Sequence, residues 1–128
     1  MLTATNEKVV VVLTAVGVDA TAATGKFQIE LDQAYTLHSV TFQCDSANPP
    51  TGSAATLDVH KDGTTIFSTK PTIDAGESHS NTAAVASVLT TTPTALPVGT
   101  VLRFDLDSIG ATNAGQQYVA TLFVTRSL

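Results

Sequence analysis

The chain has no tryptophan, two tyrosines, one cysteine, and charged residues at only 13% of its 128 positions. Each shortage excludes something. A lone Cys44 forbids an internal disulfide framework, so the fold must rest on packing, and this length suits one domain with a sizeable core. Free cysteine is among the most buried residue types, and Cys44 ends an apolar strand face, so it is read as buried and not as a nucleophile. Six scattered cations against eleven acids give a net charge of −5, which excludes the basic footprint of a nucleic-acid binder. No stretch of useful length carries apolar residues at helical spacing.

The one strongly apolar run, Val9 to Val18, is too short to cross a bilayer. Glu7 and Lys8 cancel in front of it where a signal peptide would carry net positive charge, so the run reads as a strand. The chain is expected to be made in the cytoplasm without a general secretory signal, and to meet no membrane.

What is present is β-branched residues and period-two alternation throughout, with small and hydroxylated side chains in place of charge. The pattern predicts an all-β chain of about eight antiparallel strands: Glu7 to Ala15, Lys26 to Leu31, Tyr35 to Cys44, Ala55 to Lys61, Thr64 to Thr69, Ala83 to Leu89, Thr100 to Asp107 and Gln117 to Arg126. The alternation places Phe27, Ile29 and Leu31 on one face, as it does His38, Val40, Phe42 and Cys44, then Leu57 and Val59, and Leu102, Phe104 and Leu106. The last strand is apolar on both faces and should lie centrally or at an interface. Asp62-Gly63 carries the signature of a two-residue hairpin turn between Lys61 and Thr64. Asp45 to Ser53, Pro71 to Ser80 and Thr90 to Gly99 read as loops, the first and last holding two prolines each. With no linker and no repeat, these elements predict a single-domain, two-sheet β-sandwich over residues 1–128, jelly-roll-like in topology.

The stretch Arg103-Phe-Asp-Leu-Asp-Ser-Ile-Gly110 tests for metal chemistry. A calcium loop needs oxygen ligands at positions 1, 3 and 5, glycine at 6 and a bidentate glutamate at 12. Asp105, Asp107 and Gly110 fit three of these places, while Ile109 and Gln116 occupy the other two and cannot serve. Arg103, Asp105 and Asp107 alternate with Leu102, Phe104 and Leu106, so the carboxylates are expected on a solvated strand face with Arg103 beside Asp105. His38, His60 and His79 lack zinc-site spacing and read as ordinary imidazoles. No Gly-x-Ser-x-Gly elbow and no Gly-x-x-x-x-Gly-Lys cradle occur, and no catalytic residue, metal or cofactor is expected.

The hairpin Leu57-Asp-Val-His-Lys-Asp-Gly-Thr-Thr-Ile-Phe-Ser-Thr69, followed by Leu96-Pro-Val-Gly-Thr-Val-Leu-Arg-Phe-Asp-Leu-Asp-Ser-Ile-Gly110, resembles a β-sandwich module of tailed-bacteriophage virion proteins. That module carries a Lys-x-Gly-x-x-Ile-Phe hairpin ahead of a Gly-Asp-x-Leu-x-x-Asp-x-Asp-x-x-Gly strand and loop, and the resemblance runs from about Thr36 to Arg126. Thr100 stands where the pattern often has an acid. The resemblance implies a non-enzymatic virion structural protein, most like a capsid decoration (cement) protein that binds the major capsid protein as a homotrimer on the capsid surface. An arm over about residues 1–6 would then order only on the capsid, with Leu2, Val9 and Val11 as candidate lattice or intersubunit contacts. The alternative is a receptor- or carbohydrate-binding module of a fibre or tail tip, which the low aromatic content disfavours. A small hydrolase comes third, because no nucleophile or metal constellation is visible.

Overall fold

A computed structural model describes residues 4–127. Eleven strands form: β1 (Ala4–Val12), β2 (Ala23–Glu30), β3 (Tyr35–Gln43), β4 (Ala55–Lys61), β5 (Thr64–Thr65), β6 (Phe67–Thr69), β7 (Thr72–Ile73), β8 (Val88–Leu89), β9 (Thr94–Leu96), β10 (Val101–Ser108) and β11 (Val119–Ser127). Among the described residues the one helical element is the 3₁₀ turn Ser80–Thr82.

Two sheets carry the structure, in the orders β1-β11-β3-β9 and β2-β10-β4-β5, with β7 also pairing β4 and β6-β8 forming a small ribbon beside them. Every pairing is antiparallel. Leaving aside the ribbon and β7, the first strand pairs with the last, the second with the second-last (β2 with β10), β3 with β9, and β4 with β5. That nesting is one long hairpin rolled over itself, the jelly-roll form of the sandwich.

The alternation is obeyed where both neighbours are strands. Leu57, Val59, Leu102, Phe104, Leu106, Ala120, Leu122 and Val124 fill the space between the sheets, and all are buried. Strand β11, apolar on both faces, is central, with β1 on one side and β3 on the other. Tyr118, just ahead of it, stacks on Phe42 with centroids 5.3 Å apart, and its hydroxyl donates to the Ala114 carbonyl at 2.6 Å. The Asp62-Gly63 turn forms as expected, with φ of 49° and 89°, and Asp62 Oδ1 accepts from the Val101 amide at 2.9 Å, fastening the hairpin tip to β10.

Several expectations are corrected. In β3 the stripe His38, Val40, Phe42 is broken, because the register with β11 shifts between Val124↔Leu37 and Phe123↔Ser39. The bulge points Leu37 into the core and leaves His38 exposed. The expected strand Thr64 to Thr69 bends away at Ile66 and divides into β5 and β6, and that over Ala83 to Leu89 shrinks to β8. The supposed loops Pro71 to Ser80 and Thr90 to Gly99 contain β7 and β9, with Leu96 buried. The loop after β10 is tied to the Asp45 to Ser53 loop, Thr51 N–H donating to Asn113 O at 3.0 Å and Asn113 Nδ2 to Pro49 O at 2.7 Å. Its glycines therefore serve packing.

Gly115 shows how tightly this end is built. It holds φ of +90°, and a Cβ there would lie 2.2 Å from the Tyr118 hydroxyl oxygen. Gly115→Ala is expected to cost about 3 kcal/mol in urea unfolding, from strain plus overpacking. Tyr118→Phe, which keeps the stack on Phe42 and loses only the bond to Ala114, should cost about 1 kcal/mol.

Candidate interaction edge and a buried charge cluster

The outward side chains of the two sheets differ in kind. On β1, β11 and β3 they include Val10, Val12, Thr121, Phe123 and Thr41, and Lys8, lying over the Phe123 ring at 5.5 Å, is the one Asp, Glu, Lys or Arg among them in the described residues. On β2, β10 and β4 they include Lys26, Glu30, Arg103, Asp105, Asp107, Asp58 and His60. One face is hydroxylic and aliphatic, and the other carries charge.

Asp105 is not solvated, contrary to the expectation. It shares the outward face with Arg103 and Asp107 as the alternation requires, but only 3% of it is exposed. Its cross-strand neighbour is Asp58, equally buried. Two carboxylates opposite one another repel, so the pair persists only if other groups neutralise them. Arg103 donates from Nε and Nη2 to the two Asp105 oxygens, each at 3.0 Å. The Gly25 amide donates to Asp105 Oδ1 at 2.7 Å. That amide is free because the register of β2 against β10 shifts between Phe104 and Leu106, at a bulge where Gly25 adopts φ of +73°. Lys70 reaches Asp58 at 3.1 Å and Asp107 at 2.6 Å, and the Thr65 hydroxyl donates to Asp58 Oδ1. His60 lies between the acids, Nδ1 at 3.2 Å from Asp105 and Nε2 at 3.7 Å from Asp58. The Nδ1 contact is close but lacks hydrogen-bond geometry, leaving that atom without a bonded partner among the described residues.

Burial pushes the Asp105 carboxyl up, but the bonds from Arg103 and Gly25 outweigh it and hold the group below its ordinary range. The Lys70 ammonium is held above its ordinary value, first by Asp107 and then by Asp58. Arg103, Lys70, Thr65 and the Gly25 amide all donate to carboxylates of the same chain, so the arrangement clamps β2, β10 and β4 together, and the His60 ring packs between the acids with Nδ1 unbonded. Among the described residues no group of three or more His, Cys, Asp or Glu is placed to hold a metal. His38 bonds Thr125 Oγ1 at 2.9 Å, and His79 Nδ1 accepts from the Asn81 amide at 3.1 Å, far from His60 in the chain. Cys44 is half-buried, and burial, then the charge of Asp45, raises its thiol to about 11, so little thiolate forms at neutral pH.

The site that faces outward is the side of the sandwich bounded by β1 and β2, the edge strands of the two sheets. Between them opens an apolar cavity of about 240 Å³, lined among others by Val9, Val11, Phe27, Ile29, Leu102 and Phe104. Val9, Phe27 and Ile29 point inward yet are 36%, 37% and 41% exposed, because no further strand covers them at the edge among the described residues. Glu7 and Arg126, paired at 2.9 Å, stand near the far end of β1.

Of the expected contact residues, Val9 lies on this rim. Val11 does not: at 4% exposure it belongs to the core, because β1 pairs with β11 and turns its odd-numbered residues inward. Leu2 lies outside the described residues. The supposed arm is also shorter than expected, since Ala4, Thr5 and Asn6 already pair with Ser127, Arg126 and Thr125. The exposed apolar residues that sequence reasoning passed over include Val10 and Val12 on the outer face and Phe27 and Ile29 on the rim, beside Val16, Val18, Val85, Val88 and Val98 elsewhere. Their alternation was visible, but whether a strand is an edge depends on pairing, which alternation does not encode.

Because the folded-state pKa of Asp105 is depressed, its contribution to stability is complete above about pH 4 and is lost as pH falls through the lower folded-state value. Asp105→Asn is therefore expected to cost about 2 kcal/mol at pH 7 and to flatten the acid limb of stability against pH, read by urea unfolding at pH 7 and pH 3. In comparisons with known proteins, no family model, curated protein or solved structure matches this chain.

Proposed function

We propose that this chain is a non-enzymatic structural tile of a tailed-phage virion, a capsid decoration protein that cements the major capsid protein lattice as a homotrimer. The observation that carries the reading is the segregation of the surface. One broad sheet face bears Val10, Val12, Thr121 and Phe123 with a single Lys8, and it adjoins an uncovered apolar edge. Such a surface gains by being covered with protein, since apolar area is removed from water without desolvating charge. The opposite face, with Glu30 and Asp107 exposed and Lys26 half-buried, suits solvent. The titratable groups that do converge are neutralised within the chain, which favours a supporting role for them over a reactive one. The virion setting itself rests on the hairpin and Asp-x-Asp resemblance in sequence.

Mixing the purified chain with expanded, undecorated phage heads is expected to give stoichiometric co-sedimentation, weakened at least tenfold by Val10→Asp with Val12→Asp. Binding to host cells or glycans in place of heads would replace this reading with that of a receptor module.

A further inference from the structure

Of the outer edges of the two main sheets, β5 and β9 are two and three residues long, while β2 beyond its bulge at Gly25 pairs regularly with β10 from Phe27 to Glu30. Short edges resist pairing, and a bulge interrupts it only where it sits. Edge β1 has none of these protections over most of its length: nine residues, no register shift against β11, no proline, and four consecutive valines. Its outward amides can be assigned. Leu13 N–H donates to Tyr118 O, so the odd-numbered residues bond toward β11, and Asn6, Lys8, Val10 and Val12 present their N–H and C=O groups to the open side. On β2, Leu31 N–H donates to Thr100 O, so by the same alternation Gln28 and Glu30 present theirs.

We propose that a second copy of this chain closes the open side, with β1 of one copy pairing antiparallel with β2 of the next. One register satisfies every constraint. Lys8 opposite Glu30 and Val10 opposite Gln28 bring outward amides against outward amides, two hydrogen bonds for each pair, and Val12 falls where the Gly25 bulge begins. The same register sets Val9 on Ile29 and brings Phe27 beside the core residue Val11 on the inner face, so the rim residues Val9, Phe27 and Ile29 are covered at each seam. Lys8 and Glu30 each lack an ion-pair partner among the described residues, and here they find one. The parallel alternative with Val10 opposite Gln28 would stack Lys8 on Lys26, and pairing β1 with its own twin would leave both Lys8 and Glu30 unmatched. Because each copy offers one edge and accepts at the other, the contact is head-to-tail and closes as a small ring about an axis along the strands.

The seam deepens the oligomeric part of the proposed function and is tested without any capsid, so it can fail while head binding stands, and the reverse. In light scattering across a dilution series, the protein is expected to run at a whole multiple of 13.2 kDa. Lys8→Glu and Glu30→Lys should each raise the dissociation constant about tenfold, and the double charge swap should restore it. Val9→Cys with Ile29→Cys, in a Cys44→Ser background, should give intermolecular disulfides on oxidation. Within one copy these positions lie on facing sheets about 10 Å apart, beyond disulfide reach. Circular dichroism of each variant separates loss of fold from loss of contact. A folded monomer at all concentrations overturns the seam, as does an oligomer that neither the charge reversals nor the cysteine pair touches.

Discussion

The pairing of β11 between β1 and β3 is the interaction on which the rest depends. It joins the last strand of the chain to the first along nine positions and lines the core with Ala120, Leu122 and Val124. Without it the sheet it centres would fall into separate pieces, and Tyr118 would lose the position from which it stacks on Phe42. Such closure joins residues that are remote in sequence, so its entropic cost is met only by the apolar area buried when both sheets come together. This explains why the apolar residues of β11 occupy both faces: Val119 and Phe123 shield the outside of the central strand while the alternate set fills the inside.

How much of this was legible in the sequence depends on the range of the interaction that decides it. The Asp62-Gly63 turn was readable because its geometry is set by two adjacent residues. The inward faces of β4 and β10 were readable because each of these strands pairs on both sides. The stripe on β3 was misjudged at His38 because a bulge is a property of two strands, and nothing local to Leu37 or Ser39 announces the shift against β11. Strand β9 was hidden by the prolines around it, yet it needs only three residues, Thr94 to Leu96, to bond the end of β3.

The charge cluster divides along the same line. That Arg103 and Asp105 share a face and pair followed from alternation. That Asp105 would be buried did not follow, because its cover comes from Gly25, from His60 and, through Asp58, from Thr65 and Lys70, all remote from Asp105 in sequence. Two facing acids that look unfavourable on the strand diagram become a fastening once a bulge frees one amide and a lysine bridges from the segment before β7. Replacing the acids with apolar residues could leave stability unchanged, since burying ions is expensive; what the cluster contributes is the register of β2 on β10, which an apolar stripe would specify less strictly.

That register matters for the open side. Regular pairing of β2 ends beside Gly25, and the amide freed there is held by Asp105, so the bulge stays at the start of the strand and the stretch from Phe27 to Glu30 keeps its register beside β10. Only a straight segment can align its alternate amides with those of another strand. The buried charges on one face thus shape the edge strand beside them. A low overall charge follows from the same division of labour: cations and acids are concentrated where they fix geometry or meet water, and are scarce where Val10, Val12, Phe27 and Ile29 await cover. A surface built this way is costly for a solitary molecule, because exposed apolar edge invites indiscriminate association, and it becomes favourable when the register of the edge restricts which strand can dock.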